Sequence, residues 1–455
     1  MITLSFFGGA QEVTGACYML DTGATKLLID CGLFQCPRFC ERKNEQPFPF
    51  VVDTLDALIL THAHVDHIGR VPKLARENFH GKIYSTKPTK DFAAIMLSDS
   101  LGVLEKEARS ENRVPFYSEE DIAKALSLWE GVEYYHSFQV GDATITLRNA
   151  GHILGSALVE IEVFSGGRKT KIVFTGDLGN SPNPLIAPAD TIADARHLII
   201  ESAYGNRVHE GIGERTQKFE RIIEDTLTKG GVLMIPAFSL ERTQELLFEL
   251  NDFFENNRVP RVPVFIDSPL SIKATAIYRN YQRYFSADAR KILEVDDNLF
   301  NFPGLMLTET TEESKAINEV PAPKIIIAGA GMMQGGRILH HARRYLSDSK
   351  STLLFIGYQA KGSMGRRLID GAEEARIMGE YLAVNATIKA IGGYSAHADA
   401  GALYAFVEHS KSTLKSVFVV QGEEEAAGAL AQRIRDNLAI NTRVPAFGEK
   451  AVLEA

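Results

Sequence analysis

The stretch Thr61-His62-Ala63-His64-Val65-Asp66-His67 constrains this chain more than any other, because it places three imidazoles and a carboxylate within six residues where an apolar run ends. That run, Ala57-Leu58-Ile59-Leu60, reads as a buried strand, and Ile68-Gly69-Arg70-Val71-Pro72-Lys73-Leu74 reads as an incoming helix. In extended backbone His62 and His64 point the same way. Asp66 and His67, on the turn beyond, can face a second point nearby. The pattern suits two metal ions sharing one pocket better than a closed structural site. A solvated His-rich turn is the weaker alternative, since four potential ligands seldom gather at a strand end without something to hold.

The rest of the chain must carry that site. Its 455 residues allow about three domain-sized units. At 45% hydrophobic and 24% charged residues, it can bury a large core. A net charge of −9 argues against a broadly basic surface but leaves room for a local basic groove. No apolar run approaches the ~20 residues that span a bilayer, so no membrane association is expected. Residues 1–7 read as a first strand with no basic n-region, and the expected location is cytoplasmic. Cys17, Cys31, Cys36 and Cys40 match no zinc-ribbon spacing and read as reduced thiols.

In chain order, apolar strands repeatedly end in one chemically capable residue. The run 26–29 ends at Asp30, which is placed to accept the free ring N–H of a metal-bound histidine. Strand 144–147 leads to His152, a fifth candidate ligand, and 171–174 leads to Asp177, a carboxylate able to bridge two cations. Strand 197–200 ends at Glu201, 388–391 leads to His397, and 416–420 ends at Gln421. In α/β sheets that end of the strands is where sites are built. Residues 88–130 read as amphipathic helix.

From about 205 the texture changes to strand–helix units without metal-type residues, with helices expected at 211–229 and 240–257 and strands at 232–235, 262–266, 324–327 and 353–356. Such alternation implies a mostly parallel sheet. Two Gly-rich turns, one around Gly331 and one following 357, are either phosphate cradles or tight turns. Arg337, Lys361, Arg366 and Arg367 lie beside them and would give salt-dependent binding to a polyanion. Chemistry is dense in 1–205, sparse in 206–384 and dense again in 385–455, the pattern of an inserted domain.

The histidine stretch with Asp30, His152 and Asp177 resembles the metallo-β-lactamase superfamily. Glu201 in Ile199-Ile200-Glu201-Ser202-Ala203-Tyr204-Gly205, His397 in Gly392-Gly393-Tyr394-Ser395-Ala396-His397-Ala398-Asp399, and the two Gly-rich turns resemble its β-CASP nuclease branch, which includes ribonuclease J and the endonuclease subunit of the mRNA 3′-end cleavage complex. The resemblance covers essentially the whole chain. It implies an α/β fold: an αββα metallo-β-lactamase sandwich from 1–204 and 385–455, with an α/β β-CASP domain, 205–384, inserted and the active site in the cleft between them.

The resemblance also implies roles. His62, His64 and His152 would hold one Zn2+; Asp66 and His67 would hold a second, with Asp177 bridging and Asp30 behind the ligands. Family members usually supply a further histidine where this chain has Gln421, and an amide oxygen is a weaker zinc ligand than imidazole. That implies a second site that is weak or adapted to Mn2+ or Mg2+. Asp66, Asp177, Glu201 and His397 would be catalytic, His397 as general acid. Single-stranded RNA is the expected partner, bound through Gly331, Arg337, Lys361, Arg366 and Arg367, with a homodimer as one expected assembly. The expected activity is hydrolysis of RNA phosphodiester bonds, endonucleolytic or 5′→3′ exonucleolytic. The rival readings are a non-catalytic RNA-binding paralogue with an impaired second metal site, and a hydrolase of small thioesters or lactams.

Overall fold

The computed structural model describes residues 1–35, 40–165, 167–295, 298–357, 359 and 362–454. Cys36 therefore lies outside the described residues, while Cys17 and Cys31 are free, buried thiols. The chain divides into two compact units: 1–181 with 186–208 and 397–455, and 209–396 with 182–185.

The first unit is a sandwich of two seven-stranded sheets. One runs in the order Lys450–Leu453, Ile2–Phe6, Tyr18–Asp21, Lys26–Ile29, Ala57–Ile59, Lys82–Thr86, Trp129–Val132. The other runs Asn441–Arg443, Ser416–Val419, His197–Ile200, Arg168–Phe174, Ala157–Ser165, Ala143–Asn149, Phe138–Val140. Alternation along the strands turns Leu4, Phe6, Tyr18, Leu20, Leu27 and Ile29 of the first sheet onto Ile145, Leu147, Val159, Ile161, Ile172 and Phe174 of the second. Helices Lys87–Ser110 and Glu119–Leu128 pack on the first sheet. On the second, Leu403 and Val407 of Ala400–His409 and Leu430 and Ile434 of Glu424–Leu438 pack against Leu198, Ile200, Val417 and Val419. The expected αββα layering follows.

The single amphipathic span expected over 88–130 is instead two helices and a strand. Asn112 takes a left-handed φ of 54° after Ser110, Pro115 follows, and Ser118 starts a new helix with a reciprocal capping box to Asp121. Residues 129–132 then pair in parallel with Lys82–Thr86.

The second unit is built on a six-stranded sheet in the order Leu305–Leu307, Val264–Asp267, Lys324–Ala328, Val232–Pro236, Thr352–Phe355, Thr387–Ala390, with every pairing parallel. Its central strands are apolar on both faces, as a sheet covered by helices requires. The return to the sandwich falls at 397, later than the 385 expected, because Thr387–Ala390 is still an edge strand of this sheet.

Within this unit Arg215 is a buried hub. It donates to Glu245 at 2.6 Å, to Glu249 at 2.9 Å and to the carbonyl of Gly393 at 2.9 Å, and lies 4.4 Å from the Tyr394 ring centroid. Helices Ile212–Thr228 and Arg242–Glu255 are thereby tied to the segment that leads back to His397. Removing the guanidinium leaves the buried Glu249 without a cation, while Glu245 keeps only Arg242. Arg215→Ala is expected to lower unfolding free energy by about 3–5 kcal/mol in urea titrations followed by circular dichroism. A loss under about 1 kcal/mol would mean the hub is not holding this region.

Candidate metal centre

In the sandwich unit, parallel strands end side by side and their C-terminal turns supply the polar cluster. Lys26–Ile29 pairs in parallel with Ala57–Ile59, so Asp30 sits beside Thr61 and the histidine turn. Arg168–Phe174, His197–Ile200 and Ser416–Val419 are likewise parallel neighbours, which sets Asp177, Glu201 and Gln421 in a row. His152 comes from the connection between Ala143–Asn149 and Ala157–Ser165, where its backbone N–H and that of Ile153 both donate to Ser156 Oγ.

Close backbone approach fixes the turn. Ala16 N–H donates to Asp66 O at 2.9 Å, Cys31 N–H to His67 O at 2.8 Å and Leu33 N–H to Val65 O at 2.9 Å. A Cβ on Gly32 would fall 1.5 Å from Asp66 O, so only glycine lets the two segments meet. Similarly, Gly179 lies against the carbonyl of Gly151, 1.8 Å from where its Cβ would be, and bridges in antiparallel fashion to His397. That contact carries His397 to the cluster.

The first expected ligand set converges. His62 Nε2 is 3.0 Å from His64 Nδ1, His152 Nε2 is 3.2 Å from the same atom, and Asp177 Oδ2 is 3.4 Å from both His62 Nε2 and His152 Nε2. Four donors around a tetrahedral zinc, each at about 2.0–2.1 Å, stand about 3.3 Å apart. The spacing therefore fits one such ion. Burial pushes the pKa values of His62, His64 and His152 down, which keeps their ring lone pairs free for a cation.

Asp30, Asp66, His67 and Gln421 form the other side. Asp30 accepts from Thr61 N–H and Thr61 Oγ1 at 2.8 Å each and from His67 Nδ1 at 2.8 Å, as expected of a residue that fixes a tautomer. His67 Nε2 is 3.2 Å from Asp177 Oδ1 but 4.0 Å from Asp66 Oδ2. Among the described residues, Asp66, His67 and Asp177 do not close into a ligand group as His62, His64, His152 and Asp177 do. The amide Nε2 of Gln421 lies 2.9 Å from His67 Nε2 and donates to Asp177 Oδ1 at 2.7 Å.

His397 and Glu201 pair as expected: His397 Nδ1 is 3.1 and 3.2 Å from the two Glu201 oxygens and 3.8 Å from Asp177 Oδ2. Glu201 is held in place by Leu178 N–H, which donates to it at 2.6 Å. Burial opposes charge on His397, but Glu201 and Asp177 override it and raise its pKa to about 9. The Tyr204 ring lies 6.1 Å from that of His397 and is largely buried.

The expected polyanion contacts belong to the other unit and fare differently. Arg337 turns inward, donating to Asp267 at 2.8 Å and to the carbonyls of Thr308 and Glu309 at 2.9 and 2.7 Å. Asp267 also takes His341 at 2.7 Å; these partners outweigh its burial and hold its pKa down to about 2. Arg337 thus serves the fold, a role its position beside a Gly-rich turn did not signal. Arg366 pairs with Asp370 on the surface, Arg367 is exposed, and the Gly331 carbonyl accepts from Gln359 at 2.9 Å. Lys361 lies outside the described residues. No helix among the described residues is long and apolar enough to cross a membrane.

Comparison with known proteins agrees with this arrangement. Residues 19–199 match the family described as metallo-beta-lactamase superfamily domain, 243–368 the Beta-Casp domain, and 381–445 the Zn-dependent metallo-hydrolase RNA specificity domain. The chain is 37% identical to ribonuclease TTHA0252 of Thermus thermophilus over 94% of both proteins. It is 32% identical to an RNase J-like protein of Methanocaldococcus jannaschii, covering 98% of this chain and 99% of that one. It is also 31% identical to transcription termination factor FttA of Methanosarcina mazei, covering 97% of this chain and 70% of that one. A crystal structure of a protein of unknown function from Enterococcus faecalis shares the fold, with a TM-score of 0.56 at 12% identity, over 99% of this chain and 100% of that one.

The convergent donor set gives a direct test. His152→Ala should purify nearly free of divalent metal by elemental analysis, whereas Glu201→Gln should keep its metal. Retention of a full equivalent by His152→Ala would remove His152 from the ligand set.

Proposed function

Because this chain belongs to the β-CASP branch of the metallo-β-lactamase superfamily, we propose that it is a metal-dependent ribonuclease hydrolysing phosphodiester bonds of single-stranded RNA. The observation that carries the reading is the His397–Glu201 pair set against Asp177 and the three-histidine cluster. A small-substrate hydrolase needs no second acid–base pair at the rim of its metal centre. The match of 381–445 to a domain described by RNA specificity, and the ribonuclease and RNase J-like relatives, support RNA as the substrate.

His62, His64, His152 and Asp177 would hold Zn2+, with Asp66, His67 and Asp177 facing a second cation position. Bound there, a cation would lower the pKa of water toward neutrality and draw charge off the phosphate oxygens. The side chains do the rest. Asp66 and Asp177 orient the attacking water by accepting its hydrogens. Glu201 fixes His397 through Nδ1, so the proton leaves from Nε2 to the departing 3′-oxygen. With its pKa raised to about 9, His397 is charged at neutral pH and ready to donate. Arg366, Arg367 and the turn at Gly331 are the proposed contacts to the RNA backbone, which would make affinity fall steeply with salt.

Replacing His397 by alanine should lower turnover of labelled RNA by about 10²–10⁴-fold while metal content stays at the wild-type level. Loss of metal in that variant would reassign His397 as a ligand. Wild-type turnover should fall as pH rises through about 9, where His397 loses its proton. Glu201→Gln removes the charge that holds the proton, so this alkaline limb should move to lower pH. An unmoved limb would assign it to another group. Assays on 5′-monophosphate and 5′-triphosphate RNA would separate endonucleolytic from 5′→3′ exonucleolytic action by their products.

A further inference from the structure

Gln421 stands where a fourth ligand to a second cation would be expected, and its surroundings give it a definite conformation. It follows strand Ser416–Val419 with a left-handed φ of 48°, and its backbone N–H donates to Gly9 O at 2.6 Å. Gly9 has φ +61°, and a Cβ there would come 3.0 Å from Gln421 Cγ and 2.5 Å from the Tyr18 hydroxyl. The stem of the glutamine therefore lies close against Gly9, and the residue is 3% exposed. What remains free to choose a partner is the carboxamide.

The contact with Asp177 fixes which way the carboxamide faces. A carbonyl oxygen cannot rest 2.7 Å from the Asp177 carboxylate, so the atom there is the NH2 group, which donates to Asp177 Oδ1. The same nitrogen lies 2.9 Å from His67 Nε2. His67 Nδ1 faces Asp30 at 2.8 Å, and although burial opposes charge on the ring, Asp177 and Asp30 hold its pKa well above the usual imidazole range. Both groups a second cation would need, His67 Nε2 and Asp177 Oδ1, are thus faced by one amide.

The spacings separate the two positions further. Around the three histidines the donor atoms are 3.0–3.4 Å apart, close to the separation of about 3.3 Å that zinc imposes. Around Gln421 the amide nitrogen is 2.7 Å from Asp177 Oδ1 and 2.9 Å from His67 Nε2, which is hydrogen-bond spacing, while those two atoms stand 3.2 Å from each other. Asp66 Oδ2 stands off at 4.0 Å from His67 Nε2. A histidine in place of Gln421 would offer a lone pair to this point, whereas the amide offers two hydrogens.

Resting on the metal centre proposed above for its first cation, we infer that Gln421 plugs the second position. The chain holds one tightly bound divalent cation, at His62, His64, His152 and Asp177. Its carboxamide takes the place of the other, keeping His67 and Asp177 in register by hydrogen bonds. The difference from a two-cation centre lies in one side chain.

Metal counting tests this without reference to turnover. Metal-free full-length chain would be loaded with excess Zn2+, desalted and assayed by elemental analysis, and the apo chain titrated with Zn2+ by calorimetry. Wild type should retain about one equivalent and show one tight step. Gln421→His and Gln421→Glu, each supplying a lone pair, should retain about two equivalents and show a second tight step. Two tight equivalents in wild type would overturn the inference. So would folded variants that still hold only one. Gln421→Glu preserves the shape of the side chain, so a misfolded histidine variant leaves the glutamate variant and the wild-type count to decide. One ion in a wild-type chain that cleaves no RNA would sink the ribonuclease reading and leave the plug standing. No tight ion at all would overturn both the inference and the centre it rests on.

Discussion

A single buried carboxylate underlies the geometry of this site. Asp30 is inaccessible to solvent and accepts three hydrogen bonds at 2.8 Å, from Thr61 N–H, Thr61 Oγ1 and His67 Nδ1. It therefore fixes the first and last residues of the histidine turn at once. Its own backbone is left-handed, with φ 56°, so the chain bends sharply off strand Lys26–Ile29 just where the carboxylate must point inward. Without that pin the turn would have to hold its shape by backbone contacts alone, and the buried imidazole of His67 would lose its orientation.

How far the sequence disclosed this depended on how local each relationship was. His62, His64, Asp66 and His67 are adjacent, so strand periodicity alone placed them together. Asp30, Asp177 and Glu201 were legible because each follows an apolar run and parallel pairing gathers those ends, whereas His152 follows an antiparallel strand and His397 follows a strand of the other unit's sheet. The edge strand Lys450–Leu453, paired with Ile2–Phe6, left no local signal, since its partner is at the far end of the chain. Arg337 was misleading for the same reason: its partner Asp267 is 70 residues away, and nothing near it in sequence shows that it faces inward.

Gln421 shows the limit most sharply. Its position after a strand was plain from the apolar run before it, and so was the poor ligand quality of an amide. Its amide contacts Asp177 and His67, and His67 is oriented in turn by Asp30, 37 residues before it and on the neighbouring strand end. Such a relay is a property of atoms, and residue types alone do not encode it. The sandwich core, by contrast, needs only alternation and volume, which is why its layers could be read in outline.

The pairing of Glu201 with His397 spans 196 residues of chain, with the whole parallel-sheet unit threaded between them. At the usual pace of translation, roughly 5–20 residues per second, on the order of 10–40 s separate the two residues' emergence from the ribosome. Throughout that interval the nascent chain carries every histidine of the amino-terminal turn and lacks the imidazole that Glu201 comes to hold.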